Sequence, residues 1–368
     1  MASKARGLKL PAAIGAILGM ALILLGFLGN KMAADKVKLT GWFVDLLKAD
    51  GTGLMIAGGV LTLVCIIIGN WAEMGQMKLG YFFPYLLVIP TMVFLILFVL
   101  YPMLHLIYLS LFTGNVMNPT KSFVGLKNYN TVFFVKKDFL TALQNTAVYT
   151  AAVVVLLIFF AVIFALWMYK DRKINRFAQT AFFTPHLIAS VTVAFVFQWL
   201  MDENTYGLFN TILTTFGLPR LRWLNSSDTA MASIIFVSVW KSIGYYALVV
   251  LAALKSIPTE IYEAAELDNT PKIKCFFKIT LPLLSPQLFF LLITITIGSF
   301  KVFDTINIMT AGGPGDATEV VARYIYDYAF IRTNTLGIGA TAGVVLMVVL
   351  MLLTLVYFRG LERKVHYQ

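Results

Sequence analysis

The chain has 368 residues, 59% of them hydrophobic and only 13% charged, with a mean hydropathy of +0.82, which excludes a soluble globular domain and places it among membrane proteins. Its net charge of +11 comes without a basic helix or an aromatic-basic platform, so it points to cytoplasmic loops rather than to nucleic acid. Cys65, Cys275 and three scattered histidines give neither a disulfide framework nor a metal-ligand spacing.

A bilayer core needs about 20 mostly apolar residues per helix, and backbone polar groups in lipid must be satisfied within the span. Eight runs meet that requirement: Pro11–Gly29, Gly53–Gly69, Pro84–Leu109, Thr146–Met168, Ala181–Leu200, Ala230–Leu254, Gln287–Phe303 and Ile338–Phe358. They predict an all-α integral membrane protein with eight transmembrane helices. The first run has a basic lead (Lys4, Arg6, Lys9) but is longer than a signal-peptide core, so it reads as a retained anchor. With the N-terminus in the cytoplasm, inside segments hold about 15 Lys/Arg and about 7 Asp/Glu, against about 12 and about 11 outside. The inside excess is dense at Lys170, Arg172, Lys173 and Arg176 and in the tail at Arg359, Arg363 and Lys364. An even number of spans then puts both termini in the cytoplasm.

The long outer loops, Thr113–Asn145 and Met201–Thr229, carry Lys127, Lys136, Lys137, Arg220 and Arg222 among aromatic residues. They read equally as a docking rim and as ordinary solvated loops. His186, after Pro185 within a span, reads as a packing residue rather than a ligand. Between the sixth and seventh runs lies an amphipathic insert at 257–286, rich in both charge signs. Here Ser256 is placed to cap a short helix, Pro258 suits its first turn, and Glu260 complements its dipole. Ile257, Ile261, Ala264, Ala265 and Asp268 fall on one side at helical spacing. Asn269 accepts the left-handed backbone that ends a helix, and Thr270-Pro271 opens a second one with Ile273, Phe276, Phe277 and Leu281 as its apolar face. Periodicity alone leaves this insert either a docking surface or a connector lying at the lipid headgroups.

Glu263-Ala264-Ala265, Asp268 and Ile279-Thr280-Leu281-Pro282 together resemble the EAA loop of the membrane (permease) subunits of ATP-binding-cassette importers. The preceding Leu251 to Pro258 resembles the carbohydrate-uptake group of those permeases, as do Phe300 to Asp304 and Met309 to Pro314 downstream. Asn269 stands where the family usually has glycine. The resemblance implies a six-helix type I permease core at 81–368 with its coupling loop at 257–286. Residues 1–80 supply two extra leading helices, a layout similar to that of the maltose-transport membrane subunit. It further implies a bacterial or archaeal plasma-membrane location and half of a translocation path for a sugar or oligosaccharide.

Partners implied are a second, related permease subunit, two ATPase subunits and an extracytoplasmic solute-binding protein. Glu263, Ala264, Ala265, Asp268 and Asn269 would couple to the ATPase. This chain has no Gly-x-x-x-x-Gly-Lys-Ser/Thr loop, so it is expected to be no enzyme and to hold no cofactor, ATP and Mg being bound by the partner ATPase.

Ser242, Tyr245, Thr294 and Gly298 match family positions that line the cavity. Lys241 and Lys301 lie about 14 residues before and about 15 after the insert, roughly 20 Å along their helices, so each must face protein or water. Lys301 either pairs with Asp304 or joins Lys241 on the substrate path. An alternative substrate is therefore an anionic solute such as glycerol phosphate or an acidic oligosaccharide. A second alternative is an ion-coupled secondary carrier, which would need acids within the spans; these spans hold almost none.

Overall fold

The computed structural model describes residues 18–26, 29–30, 53–54, 57–58, 60–61, 83–115, 121–204 and 206–361. Of the two leading runs, residues 18–26 are helical, while the rest of Pro11–Gly29 apart from Gly29, and most of Gly53–Gly69, lie outside the described residues. The described chain is mostly helix. Five helices in it are long and apolar enough to cross a membrane, six if one bent pair counts as a single span. The chain divides into two compact units, Met1–Thr131 with Tyr328–Thr341, and Val132–Asp327 with Ala342–Gln368.

In the first unit, α1 (Phe83–Leu95) runs through a π-turn (Ile96–Leu100) into α2 (Tyr101–Ser110). Phe94, Leu97 and Phe98 are exposed, so this span presents apolar side chains outward, where lipid or another subunit would lie. Its end is closed by a hairpin pairing β1 (Phe112–Thr113) with β2 (Ser122–Phe123). Carbonyls at a helix end have no intrahelical partner. Asn128 Nδ2 captures two of the carbonyls here, donating to Ser110 O at 2.8 Å and Phe112 O at 2.9 Å.

The second unit is built on α3 (Asp138–Met168), α4 (Lys173–Leu187), α5 (Ser190–Leu200) and α7 (Ala230–Ser256), with the short α6 (Leu208–Thr215) between the last two. After α7 come α8 (Thr259–Leu267), α9 (Lys272–Cys275), α10 (Ser285–Phe300), α11 (Asp304–Met309) and α12 (Val321–Tyr326); α13 (Leu336–Leu361) closes the chain. Helix α7 packs along α3 and α4, α10 packs on α3, and α11 on α5. Apolar side chains gain little by leaving lipid for protein, so such seams rely on close approach of backbones. The core accordingly contains Ala161, Ala165 and Ala247, all fully buried. Gly244 is the tightest point: a Cβ there would sit 1.8 Å from the carbonyl oxygen of Phe182 on α4.

The run Ala181–Leu200 is not the continuous span expected. It is the pair α4 and α5, bent by 97° at Ile188 and Ala189, both of which have extended backbone. Pro185 lacks the N–H that would bond Ala181 and crowds that carbonyl, so the last turn of α4 is weakened where the chain turns. The run Gln287–Phe303 also differs. Its helix starts earlier, at Ser285, and ends at Phe300, with Lys301–Phe303 irregular before α11.

Gly244→Val should displace α7 from α4 and cost about 1–3 kcal/mol or more of stability, the usual range for overpacking a filled seam. A lowered thermal unfolding midpoint in detergent checks this; an unchanged midpoint would show that the seam can yield.

Candidate coupling corner and solute cavity

The insert forms a sharp helical corner. Ser256 does not cap α8; its hydroxyl donates to Ala253 O at 2.8 Å and closes α7, and Ile257 and Pro258 carry the turn. Serine favours such local bonds to backbone, and here the carbonyls of an ending helix were the nearer acceptors. Helix α8 then ends in a left-handed cap. Asn269 has φ +49°, Thr270 N donates to Ala265 O at 2.9 Å, and Asn269 N donates to Glu266 O at 2.9 Å. This is the paired bond pattern that satisfies the last carbonyls of a helix.

The side expected to be uniform is split in two. Ile257 and Leu284 belong to the buried core, Ile261 and Tyr262 pack against it, and Ala265 is buried. Glu263, Ala264 and Asp268 face outward. The split comes from what surrounds α8 rather than from spacing, since positions 261 and 268 lie only about 20° apart around the helix, yet Ile261 packs on the core and Asp268 is exposed. The Tyr262 hydroxyl lies 3.3 Å from Thr280 Oγ1, tying both arms of the corner together, and burial raises its pKa. Leu267, Ile273 and Phe277 are exposed, at 85%, 75% and 61%, among the exposed charges of Glu260, Glu263, Glu266, Asp268, Lys272, Lys274 and Lys278. Large apolar side chains exposed side by side among charges of both signs fit a surface that a partner covers.

A cavity of about 290 Å³ opens within the same unit, walled by α3, α7, α10 and the two helix breaks. It brings together Lys241, Ser242, Gly298 and Lys301. Tyr245 and Thr294 are not on its wall. Tyr245 stacks on His186 at 4.5 Å and 10°, and the Thr294 hydroxyl donates to Phe290 O at 2.9 Å within its own helix. Asp304 also faces the cavity, yet among the described residues no ion pair joins it to Lys301.

Sequence reasoning missed Ser190, Tyr149 and Ser238 on this wall, the last two hydrogen bonded at 2.8 Å. The signal was present on α7, where Ser238, Lys241 and Ser242 recur at spacings of three and four along one face of an otherwise apolar helix.

Residues 157–367 match the family profile described as binding-protein-dependent transport system inner membrane component. The chain belongs to this family. Among its relatives, the probable ABC transporter permease protein YurN of Bacillus subtilis is 39% identical over 73% of this chain and 92% of the relative. The sulfoquinovosyl glycerol transport system permease protein SmoG of Agrobacterium fabrum is 32% identical over 80% of this chain and 94% of that one. The fold is shared with a bacterial alginate ABC transporter, solved in complex with an alginate pentasaccharide-bound periplasmic protein. That match has a TM-score of 0.66 at 23% identity, covering 81% of this chain and 96% of the other. The chain is thus a multi-pass inner-membrane permease of the type I fold.

The permease also contains a charge pair after α11, with Glu319 buried and Arg323 partly so. Glu319 and Arg323 are hydrogen bonded one helical turn apart, and a Cβ on Gly312, at φ +85°, would collide with both. Asn145 Nδ2 donates to Asp316 O at 2.8 Å and Glu319 O at 3.0 Å, fastening this turn to α3. Burial raises the Glu319 pKa, and the opposing pull of Arg323 only partly offsets it.

Two outcomes follow for the permease. Because an L-residue in the left-handed region costs about 1–2 kcal/mol while asparagine tolerates it, Asn269→Val should destabilise the corner by about that amount and Asn269→Gly should not. Hydrogen exchange of the Thr270 amide measures the difference. For Glu319, a folded pKa above the unfolded one means its contribution is fully present at acid pH and lost as pH rises through the folded value. Glu319→Gln should therefore flatten that part of the stability profile above the normal carboxylate range, read from unfolding midpoints across pH.

Proposed function

We propose that this permease forms half of the path by which a sugar or oligosaccharide enters the cell, driven by ATP hydrolysis on separate ATPase subunits. The chain does no ATP chemistry itself and binds no cofactor; ATP and Mg belong to the ATPases. A second, related permease subunit completes the path, and a loaded extracytoplasmic binding protein delivers the solute. Both termini are cytoplasmic, and the full chain has eight spans, the first two added ahead of a six-helix core. The glycoside named for the SmoG relative and the carbohydrate-type motifs around the insert support the substrate class.

The observation that carries this reading is the two-sided corner. Ile261, Tyr262 and Ala265 hold α8 to the core, while Glu263 and Ala264 stand free on its outer side. A force applied to the outer side passes into α7 and α10, and those two helices supply Lys241, Ser242 and Gly298 to the cavity wall. Closing two ATPases on ATP would draw the paired corners together and turn the cavity outward; hydrolysis would let it return. Glu263, Ala264, Ala265, Asp268 and Asn269 are the coupling set in this scheme. Ala265 and Asn269 shape the corner, and Glu263, Ala264 and Asp268 meet the ATPase.

Glu263→Lys should reduce receptor-stimulated ATP turnover by about tenfold or more, as reversing a charge at a docked interface costs several kcal/mol. The protein should still insert and purify. Stimulation equal to that of the unsubstituted importer would remove Glu263 from the coupling set.

A further inference from the structure

The importer reading leaves open what kind of solute the cavity is built for, and the geometry points to an anion: a sugar or glycerol derivative carrying a carboxylate, phosphate or sulfonate group. This inference rests on that reading and concerns the same cavity.

Three charged side chains face the cavity, two ammonium groups from Lys241 and Lys301 and one carboxylate from Asp304. One positive charge is therefore left over even when Asp304 is assigned fully to Lys301. The surplus belongs to Lys241. Helix α7 contains no Asp or Glu along its whole length, and among the described residues no ion pair reaches Lys241. His186, the titratable neighbour that feels the Lys241 charge, brings no negative charge. Escape to the membrane surface is closed as well. Lys241 lies eleven residues into α7, about 16 Å from the nearer helix end, beyond the reach of a lysine stem. A charge held at that depth is costly unless water or a counter-charge meets it, and such residues mark solute pathways.

The backbone adds to the same field. Helix backbones break within spans only where protein or a water-filled cavity can satisfy the freed groups. Both breaks of this unit meet the cavity, one through Ser190 and the other through Lys301, Val302 and Phe303. Ser190 is the first residue of α5, so the unpaired N–H groups and positive dipole end of that helix begin at the cavity wall. The hydroxyls of Ser242 and of the hydrogen-bonded Tyr149 and Ser238 supply partners for a polyhydroxylated body. The volume of about 290 Å³ is near the lower bound of about 300 Å³ for small-molecule sites.

The test uses the assembled importer, purified in lipid nanodiscs through a tag on this chain, with binding of trigalacturonate, glycerol 3-phosphate and maltotriose measured by calorimetry. At least one of the two anions should bind about tenfold or more tighter than maltotriose, the size expected of a charge-assisted hydrogen bond. Which anion wins separates a carboxylated saccharide from a phosphate headgroup. Lys241→Gln should remove that preference and Lys241→Arg should keep most of it; added salt should weaken the anion alone. Equal or tighter binding of maltotriose, no binding of either anion, or an anion affinity unchanged in Lys241→Gln would each overturn the inference. An assembly that holds an ATPase yet prefers maltotriose sinks the anion and leaves the importer standing. An assembly without any ATPase removes both.

Discussion

The packed face of α7 is the constraint on which the second unit depends. Gly244, Ala247, Val250, Leu251 and Leu254 are buried on it, and the approach of Gly244 to the Phe182 carbonyl fixes how near α4 can lie. In lipid that closeness is itself the source of stability, since dispersion contacts replace the hydrophobic drive available in water. The same helix delivers Lys241 and Ser242 to the cavity and, through Leu254 and Ile257, roots the corner in the core. Coupling and solute path thus share one rigid element. A shift of that helix cannot alter one without altering the other.

The irregular backbone follows a rule of its own. Inside a membrane every N–H and C=O must find a partner, so a break is affordable only beside protein or water. The breaks at Ile188–Ala189 and at Lys301–Phe303 both border the cavity, and both leave a new helix beginning just beyond them, α5 and α11. The broken segments are therefore part of the wall rather than defects in spans. The turn after α11 uses a different device. There Glu319, Arg323, Gly312 and Asn145 lock the chain by buried polar contacts, and one carboxylate is left with a raised pKa.

Much of this was legible in the sequence because the bilayer makes composition decisive. Apolar runs of sufficient length have one stable form in lipid, so α1 with α2, α3, α7, α10 and α13 were foreseeable from hydropathy. The corner was legible for a different reason. Its chemistry is local: Asn269 adopts a positive φ because its own short side chain and neighbours permit it, and Pro258 and Pro271 mark where helices begin. Composition and local backbone preference together determined a helical membrane protein with a bent polar insert.

What needed the tertiary structure was every choice between equally good local answers. Pro185 permits either a kinked or a sharply bent span, and packing against α7 together with the open cavity selected the 97° bend. Ser256 was free to serve the helix before it or the one after. Helical spacing placed Ala264 and Ala265 side by side without saying which would be buried. Tyr245 and Thr294 sit at promising intervals but turn to His186 and to their own helix, whereas Tyr149 and Ser190, far apart in sequence, meet one wall. Periodicity gives the faces of a helix; only the neighbours that fill the space around it decide what each face touches.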